Sequence, residues 1–280
     1  MCCGISQAVN INGYYVHIMD TSPPAAGAQV LHRAAAVLRV LSLGPESGLS
    51  TTEAAGRTQL SRSTTHRILS ALESEGFVDH DRSSGKWFLG PELYVLGHVA
   101  SQRFSITNSA RRVLKELAAA TGESCFLSVR RGDETVCLLR VEGSFPLRSF
   151  VLHEGVRFPL GVGSAGLAIL AFLPEPEIAY YLNRADLSGQ YGPTHADDAL
   201  RARLRATREN GYALNPGLIV EGSWGLGAVV FSEEGSPSFA LSMTGVESRY
   251  SPERAPRLGK LLLEAAHGLS TRSSPERFSG

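Results

Sequence analysis

Lysine is almost missing from this chain: Lys86, Lys115 and Lys260 are the only three in 280 residues. Basic and acidic residues balance at 27 each, so there is no overall positive charge to draw the protein to nucleic acid or an anionic surface. Any DNA contact must come from local clustering. Cysteine is scarce too. Cys2, Cys3, Cys125 and Cys137 form no CxxC pair and have no histidine at metal-ligand spacing, which argues against a zinc or thiol-redox framework. They are read as small hydrophobes of a reduced, cytoplasmic protein, with no metal and no cofactor expected. No apolar run approaches the ~20 residues of a membrane span. Residues 1–26 lack a basic stretch leading into an apolar one, so neither a membrane partner nor a secretory signal is expected.

What is present is a small domain followed by a larger one. Residues 1–27 are expected to be a disordered leader. From Ala28, apolar residues at Val30, Ala34, Val37, Leu38 and Leu41 take helical spacing, and the run stops at Gly44-Pro45. Ser50-Thr51-Thr52-Glu53 is a capping box that opens a short helix through Arg57. After a turn at 58–60, Ser61 is a good N-cap for a helix over 62–74 that ends at Gly76. Phe77–His80, a polar turn, and Trp87–Leu89 read as a hairpin. Three helices and a hairpin are the winged helix-turn-helix order, placed at 28–90. Pro91 opens a linker helix, assigned to 91–104, with Leu93, Leu96 and Val99 on its apolar side. Residues 105–272 interleave strands (124–130, 135–141, 147–152, 225–231, 238–244) with helices, as a sensor domain built on a mixed or antiparallel sheet would. The fold class expected is α+β, and residues 273–280 are read as a disordered tail.

In a helix-turn-helix the second helix enters the major groove. On a helical wheel of 62–73, Thr65, Ile68, Leu69 and Leu72 face inward, while Arg62, Ser63, His66 and Arg67 face outward or lie near the boundary. With Thr64 these are the candidate DNA-reading residues, since arginine can fork onto guanine and hydroxyls can bond bases or phosphates. Arg82 and Lys86 are the candidate wing contacts. Residues 28–90 hold seven basic residues against six acidic ones, so tight binding is expected to need two half-sites on a homodimer or a dimer of dimers.

The stretches Val30-Leu31-His32-Arg33-Ala34, Leu60-Ser61-Arg62-Ser63-Thr64-Thr65-His66-Arg67-Ile68-Leu69, Glu75-Gly76-Phe77-Val78 and Trp87-Phe88-Leu89-Gly90 resemble the IclR family of bacterial transcription regulators. Phe158-Pro159-Leu160 with Gly166–Ala171, and Glu209–Ala213, resemble that family's GAF-like sensor domain. The resemblance implies a double-stranded DNA operator and a small organic effector, with the effector's carboxylate at the backbone N–H groups of Ser164 and Ala165. It places Asn215, Gly225, Ser242 and Thr244 in the pocket wall. Trp224, beside Gly225, could fill the room that glycine leaves or stack on a ring. Asn215 stands where an acid is frequent and Gly225 where cysteine is frequent, so the family's ligands do not transfer. An effector bulkier than a two- or three-carbon acid is expected.

Two other readings compete. Gly161-Val162-Gly163-Ser164-Ala165-Gly166 fits GxGxxG, which would make the chain a nicotinamide-dependent enzyme, but the fingerprint needs a buried strand and a βαβ unit, and Arg157 and Pro159 disturb that approach. No enzyme activity is expected. Alternatively, the larger domain binds no ligand and only dimerises.

Overall fold

The computed structural model describes residues 8–11, 14–17, 28–101, 104, 106–147, 149 and 151–272. The chain divides into two compact units, Met1–Phe104 and Ser105–Gly280. Strands β1 (Ala8–Ile11) and β2 (Tyr14–His17) pair antiparallel, with Ala8 opposite His17. They lie in the segment expected to be a disordered leader, and the hairpin departs from that expectation. The rest of 1–27 lies outside the described residues, as does the tail 273–280.

The first unit continues through α1 (Gln29–Ser42), β3 (Leu49–Ser50), α2 (Thr51–Thr58), α3 (Arg62–Ser74), β4 (Val78–Asp81), β5 (Lys86–Leu89) and α4 (Pro91–Ser101). The capping box forms: the Ser50 side chain accepts from Glu53 N–H, and Ser50 N–H donates to Glu53 Oε2 at 2.7 Å. Gln59 takes the left-handed conformation (φ 55°) and turns the chain from α2 into α3. Strands β3, β5 and β4 form one small sheet. Val37, Val40 and Leu41 of α1 pack with Leu49, Leu69, Val78 and Trp87. Trp87 is the keystone: it is buried, its Nε1 donates to Thr51 Oγ1 at 3.0 Å, and His80 stacks on it at 4.1 Å. One tryptophan thus ties the hairpin to the start of α2.

Lys86 donates to Glu53 Oε2 at 2.7 Å. This ammonium, the Ser50 hydroxyl and the Ser50 backbone N–H hold the Glu53 carboxyl down from 4.5 to about 2. The folded value lies below the unfolded one, so this contribution is complete above pH 4.5 and is lost as the pH falls toward 2. A carbon-13 titration of Glu53 is expected to show a midpoint near 2, moving upward in Lys86→Met. A wild-type midpoint at the ordinary value would rule the pairing out in solution.

The second unit comprises α5 (Ile106–Thr121), β6 (Ser124–Arg131), β7 (Glu134–Val141), β8 (Arg157–Pro159), α6 (Ser164–Ala171), α7 (Glu175–Leu182), α8 (Leu187–Tyr191), α9 (Asp197–Asn210), β9 (Ala213–Pro216), β10 (Ser223–Phe231), β11 (Pro237–Val246) and α10 (Arg254–Arg272), with 3-10 turns at Pro193–His195 and Glu247–Arg249. The sheet order is β8-β7-β6-β11-β10-β9 and every pairing is antiparallel. One expectation is corrected here, and one competing reading is set aside. Of the stretch 147–152, the described residues 147, 149, 151 and 152 are not in a strand, and 148 and 150 lie outside the described residues; the edge strand next to β7 is Arg157–Pro159. And the GxGxxG stretch, though it follows a strand and opens a helix, has no parallel neighbour, so the dinucleotide reading fails among the described residues.

The strands alternate as a two-sided sheet requires. Cys125, Leu127, Leu226, Ala228, Leu241 and Met243 pack in one core with α5 and α10. The intervening positions, Phe126, Ser128, Gly225, Gly227, Ser242 and Thr244, lie on the face that meets α6. All residues of α6 are buried, and none is charged. A Cβ at Gly227 would lie 2.3 Å from Ser164 O, so glycine there lets β10 carry the start of α6 directly. Cys125 and Cys137 are free and buried, and burial pushes both thiols up to about 12. Among the described residues no helix is long and apolar enough to cross a membrane.

Candidate DNA-reading face and effector cavity

Helix α3 starts at Ser61, whose side chain accepts from Thr64 N–H at 3.1 Å. Ser61 Oγ also donates to Thr64 Oγ1 (2.8 Å) and lies 3.0 Å from Ser63 Oγ. These hydroxyls knit the helix start together. Thr65 and Leu69 are buried, while Arg62, Ser63, His66 and Arg67 are exposed and Thr64 is half-buried. The first turn carries no acid. The exposed face of α3 is therefore cationic and hydroxyl-rich over an apolar seat, and His66 meets the edge of Trp87 at 6.3 Å. Arg82 is exposed in the turn after β4, which Asp81 closes by accepting from Ser83 and Ser84. Lys86 departs from its expected place: it starts β5, is half-buried, and spends its charge on Glu53.

In the second unit the start of α6 faces a cavity of about 520 Å³ when its open mouth is counted. Gly163, Ser164 and Ala165 form one end of it. The N-cap Gly163 offers no side-chain hydrogen bond, so the first N–H groups of α6 keep the partial positive charge of a helix start. The apolar part of the wall comes from Val151, Leu152, Val156, Phe158, Ile219 and Trp224. No charged side chain lines the cavity among the described residues. Ser242 and Thr244 reach it from β11, and their hydroxyls are buried and unpartnered. Ser164 Oγ is engaged, donating to Leu226 O at 3.1 Å. Asn215 is engaged at both ends: Nδ2 donates to Val162 O (2.7 Å), and Oδ1 accepts from Leu218 N–H (3.0 Å).

Residues 98–271 match the family model for the C-terminal domain of the bacterial transcriptional regulator IclR, and residues 30–82 match the IclR helix-turn-helix domain. The chain belongs to the IclR family. Relatives include the HTH-type transcriptional regulator KipR of Bacillus subtilis, 29% identical over 79% of this chain and 88% of KipR. The HTH-type transcriptional repressor AllR of Escherichia coli is also 29% identical, over 88% and 90% of the two chains. A crystal structure of an IclR transcriptional regulator from Alicyclobacillus acidocaldarius is 28% identical, with a TM-score of 0.71 over 88% of this chain and 99% of that one. The protein is accordingly a DNA-binding transcription regulator of the IclR type.

In this IclR-family chain, Ser164, Ala165, Asn215, Trp224, Gly225, Ser242 and Thr244 all line the one cavity. The residues that sequence reasoning left out are Gly163, the apolar wall other than Trp224, and Ser128, Thr135 and Ser223. Ser128 had a legible signal, as a hydroxyl between Leu127 and Val129 in an otherwise apolar run. Ser164 Oγ serves Leu226 O, and His195 Nδ1 faces Tyr191 O at 3.1 Å. His195 is also buried.

Proposed function

We propose that this regulator reads a near-palindromic operator as a homodimer or dimer of dimers, and that a small organic acid in the second unit biases that binding. The observation that carries the effector reading is the cavity itself. A helix start with uncapped N–H groups closes one end, two unpartnered hydroxyls stand on a strand beside it, and an apolar wall completes it. The N–H groups at Ser164 and Ala165 suit a carboxylate. The wall, with Trp224, suits an apolar or aromatic body larger than a three-carbon acid. Asn215 supports the loop before α6 through Val162 and touches ligand only as wall. Arg62, Ser63, His66 and Arg67 read the DNA, Thr64 helps fix their helix, and Arg82 reaches phosphate from the wing.

Support for self-association comes from the first unit. Helix α4 buries none of its residues, and Tyr94, Val95, Leu96 and Val99 are exposed on it, as Val30 and Leu31 are on α1. Such an apolar surface is what a second copy would cover. Residues 91–104 then act as the linker, and the effector shifts the DNA-binding equilibrium only by its difference in affinity for the two arrangements.

Calorimetry with a series of monocarboxylates tests the effector reading. Ring-bearing or branched acids are expected to bind, and binding of only glyoxylate- or pyruvate-sized acids would sink it. Gly225 supplies a second check. A Cβ there would stand 3.2 Å from Ser164 Oγ, so Gly225→Leu should fill the cavity and abolish binding while operator affinity without ligand is retained.

A further inference from the structure

Lys86 is the lysine of the first unit, and it starts β5 directly after the wing turn. Ser50, the N-cap of α2, lies opposite it in the β3–β5 pairing. Its neighbour Trp87 meets the ring of His66, on the reading helix, edge-on at 6.3 Å. The start of β5 therefore lies beside both α2 and α3. An ammonium in that place suits a DNA phosphate, the contact that adds affinity without sequence information. Glu53 takes it instead, with Oε2 at 2.7 Å from Lys86 Nζ. Asp81 faces Lys86 across the β4–β5 pairing, but its carboxylate accepts from Ser83 and Ser84. Among the described residues Glu53 is thus the carboxylate that answers Lys86.

The helix itself does not require this charge. A capping box takes Glu or Gln at its last position, because either side chain can accept from the N-cap N–H. Glu53 Oε2 does so from Ser50 N–H, and an amide oxygen would serve equally. Nor does stability explain the pair, since 47% of the Glu53 side chain is exposed and exposed pairs contribute little. We propose that Glu53 restrains DNA binding by holding Lys86 off the phosphate backbone. Each reader then holds DNA weakly, and an operator is held only by two readers together. Residues 28–90 carry seven basic and six acidic residues, so removing this one carboxylate doubles their net charge from one to two. The restraint rests on the reading of α3 and the wing as the DNA face.

Fluorescence anisotropy of the full-length protein on a random-sequence DNA duplex, across a salt series, tests it. Such a duplex suffices because a phosphate contact needs no operator. Glu53→Gln keeps the cap and frees the lysine. It is expected to tighten binding about tenfold per reader at ~50 mM salt, and to steepen log K against log salt by ~0.9 per reader. Adding Lys86→Met should return both quantities close to wild type. An unchanged salt slope in Glu53→Gln overturns the proposal. So does an equal gain when Glu53→Gln is made in the Lys86→Met background, because the carboxylate would then act by repelling DNA directly. Arg82→Ala separates the two failures. If it lowers the slope while Glu53→Gln leaves it unchanged, the restraint falls and the wing stays on DNA. If neither variant moves the slope, both readings fall.

Discussion

Replacing Arg67 by alanine is expected to weaken operator binding by about 30- to 20 000-fold. A well-placed arginine contact to a base is worth ~1–3 kcal/mol, a dimer forfeits it in both half-sites, and each 1.4 kcal/mol is a factor of ten. Arg67 is exposed on α3, on a helix seated by Thr65 and Leu69, so its loss removes a reader without opening the core. Fluorescence anisotropy at a fixed salt concentration measures the change. The salt dependence then assigns the role of the side chain. If Arg67 neutralises a phosphate, its removal lowers the slope of log K against log salt by ~0.9 per half-site, whereas removing a base-reading arginine leaves the slope nearly unchanged. The effector affinity of the second unit should stay intact. Lys86→Ala is the internal contrast: its ammonium already sits on Glu53, so it should cost far less. Operator binding unchanged in Arg67→Ala would remove α3 as the reading helix.

The contrast between Arg67 and Lys86 shows what the sequence could disclose. Local patterns were legible because their causes are local. Ser50 and Glu53 are three residues apart, Ser61 caps its own helix, and inward and outward positions of α3 follow from the turn angle. The Lys86–Glu53 pair spans 33 residues, and nothing short-range announces it. Proline misled at β8. Pro159 argued against a strand approaching α6, yet β8 is an edge strand, where a missing N–H is tolerated, and it pairs through Glu134 opposite Pro159. The apolar residues around 147–152 instead supply cavity wall, through Val151 and Leu152. The N-terminal hairpin did have a local cue: Asn12-Gly13 stands between β1 and β2, and Asn-Gly between alternating apolar residues is a strong hairpin signal. The cavity's glycine-rich end was visible as a motif. Its far wall was not, because the antiparallel sheet and its loops assemble it from separate stretches of chain.

Glu123→Ala is expected to cost the second unit about 3 kcal/mol, the lower end of what breaking a buried ion pair costs. Glu123 is 2% exposed, and its Oε1 accepts from Arg249 Nε and Arg254 Nη1, both at 2.8 Å. The same two arginines donate to Thr121 O, and Arg249 lies 4.2 Å over the Phe145 ring. One carboxylate therefore gathers the end of α5, the start of β6 and the segment leading into α10. Alanine would leave two half-buried guanidinium groups with only the Thr121 and Arg249 carbonyls and the Phe145 ring. Both arginines keep some access to water and retain Thr121, which is why the lower end applies. Urea unfolding measures the loss, expected to lower the melting temperature by about 6–12 °C as well. Glu123→Gln keeps the shape and one acceptor oxygen, so it should recover part of the stability. The decisive comparison is the triple variant Glu123→Met/Arg249→Met/Arg254→Met. Removing all three charges abolishes the unpaired guanidinium groups, so the triple variant should be more stable than Glu123→Ala. If it is instead less stable by the sum of the single losses, the three residues act through separate packing contacts and not as one electrostatic unit.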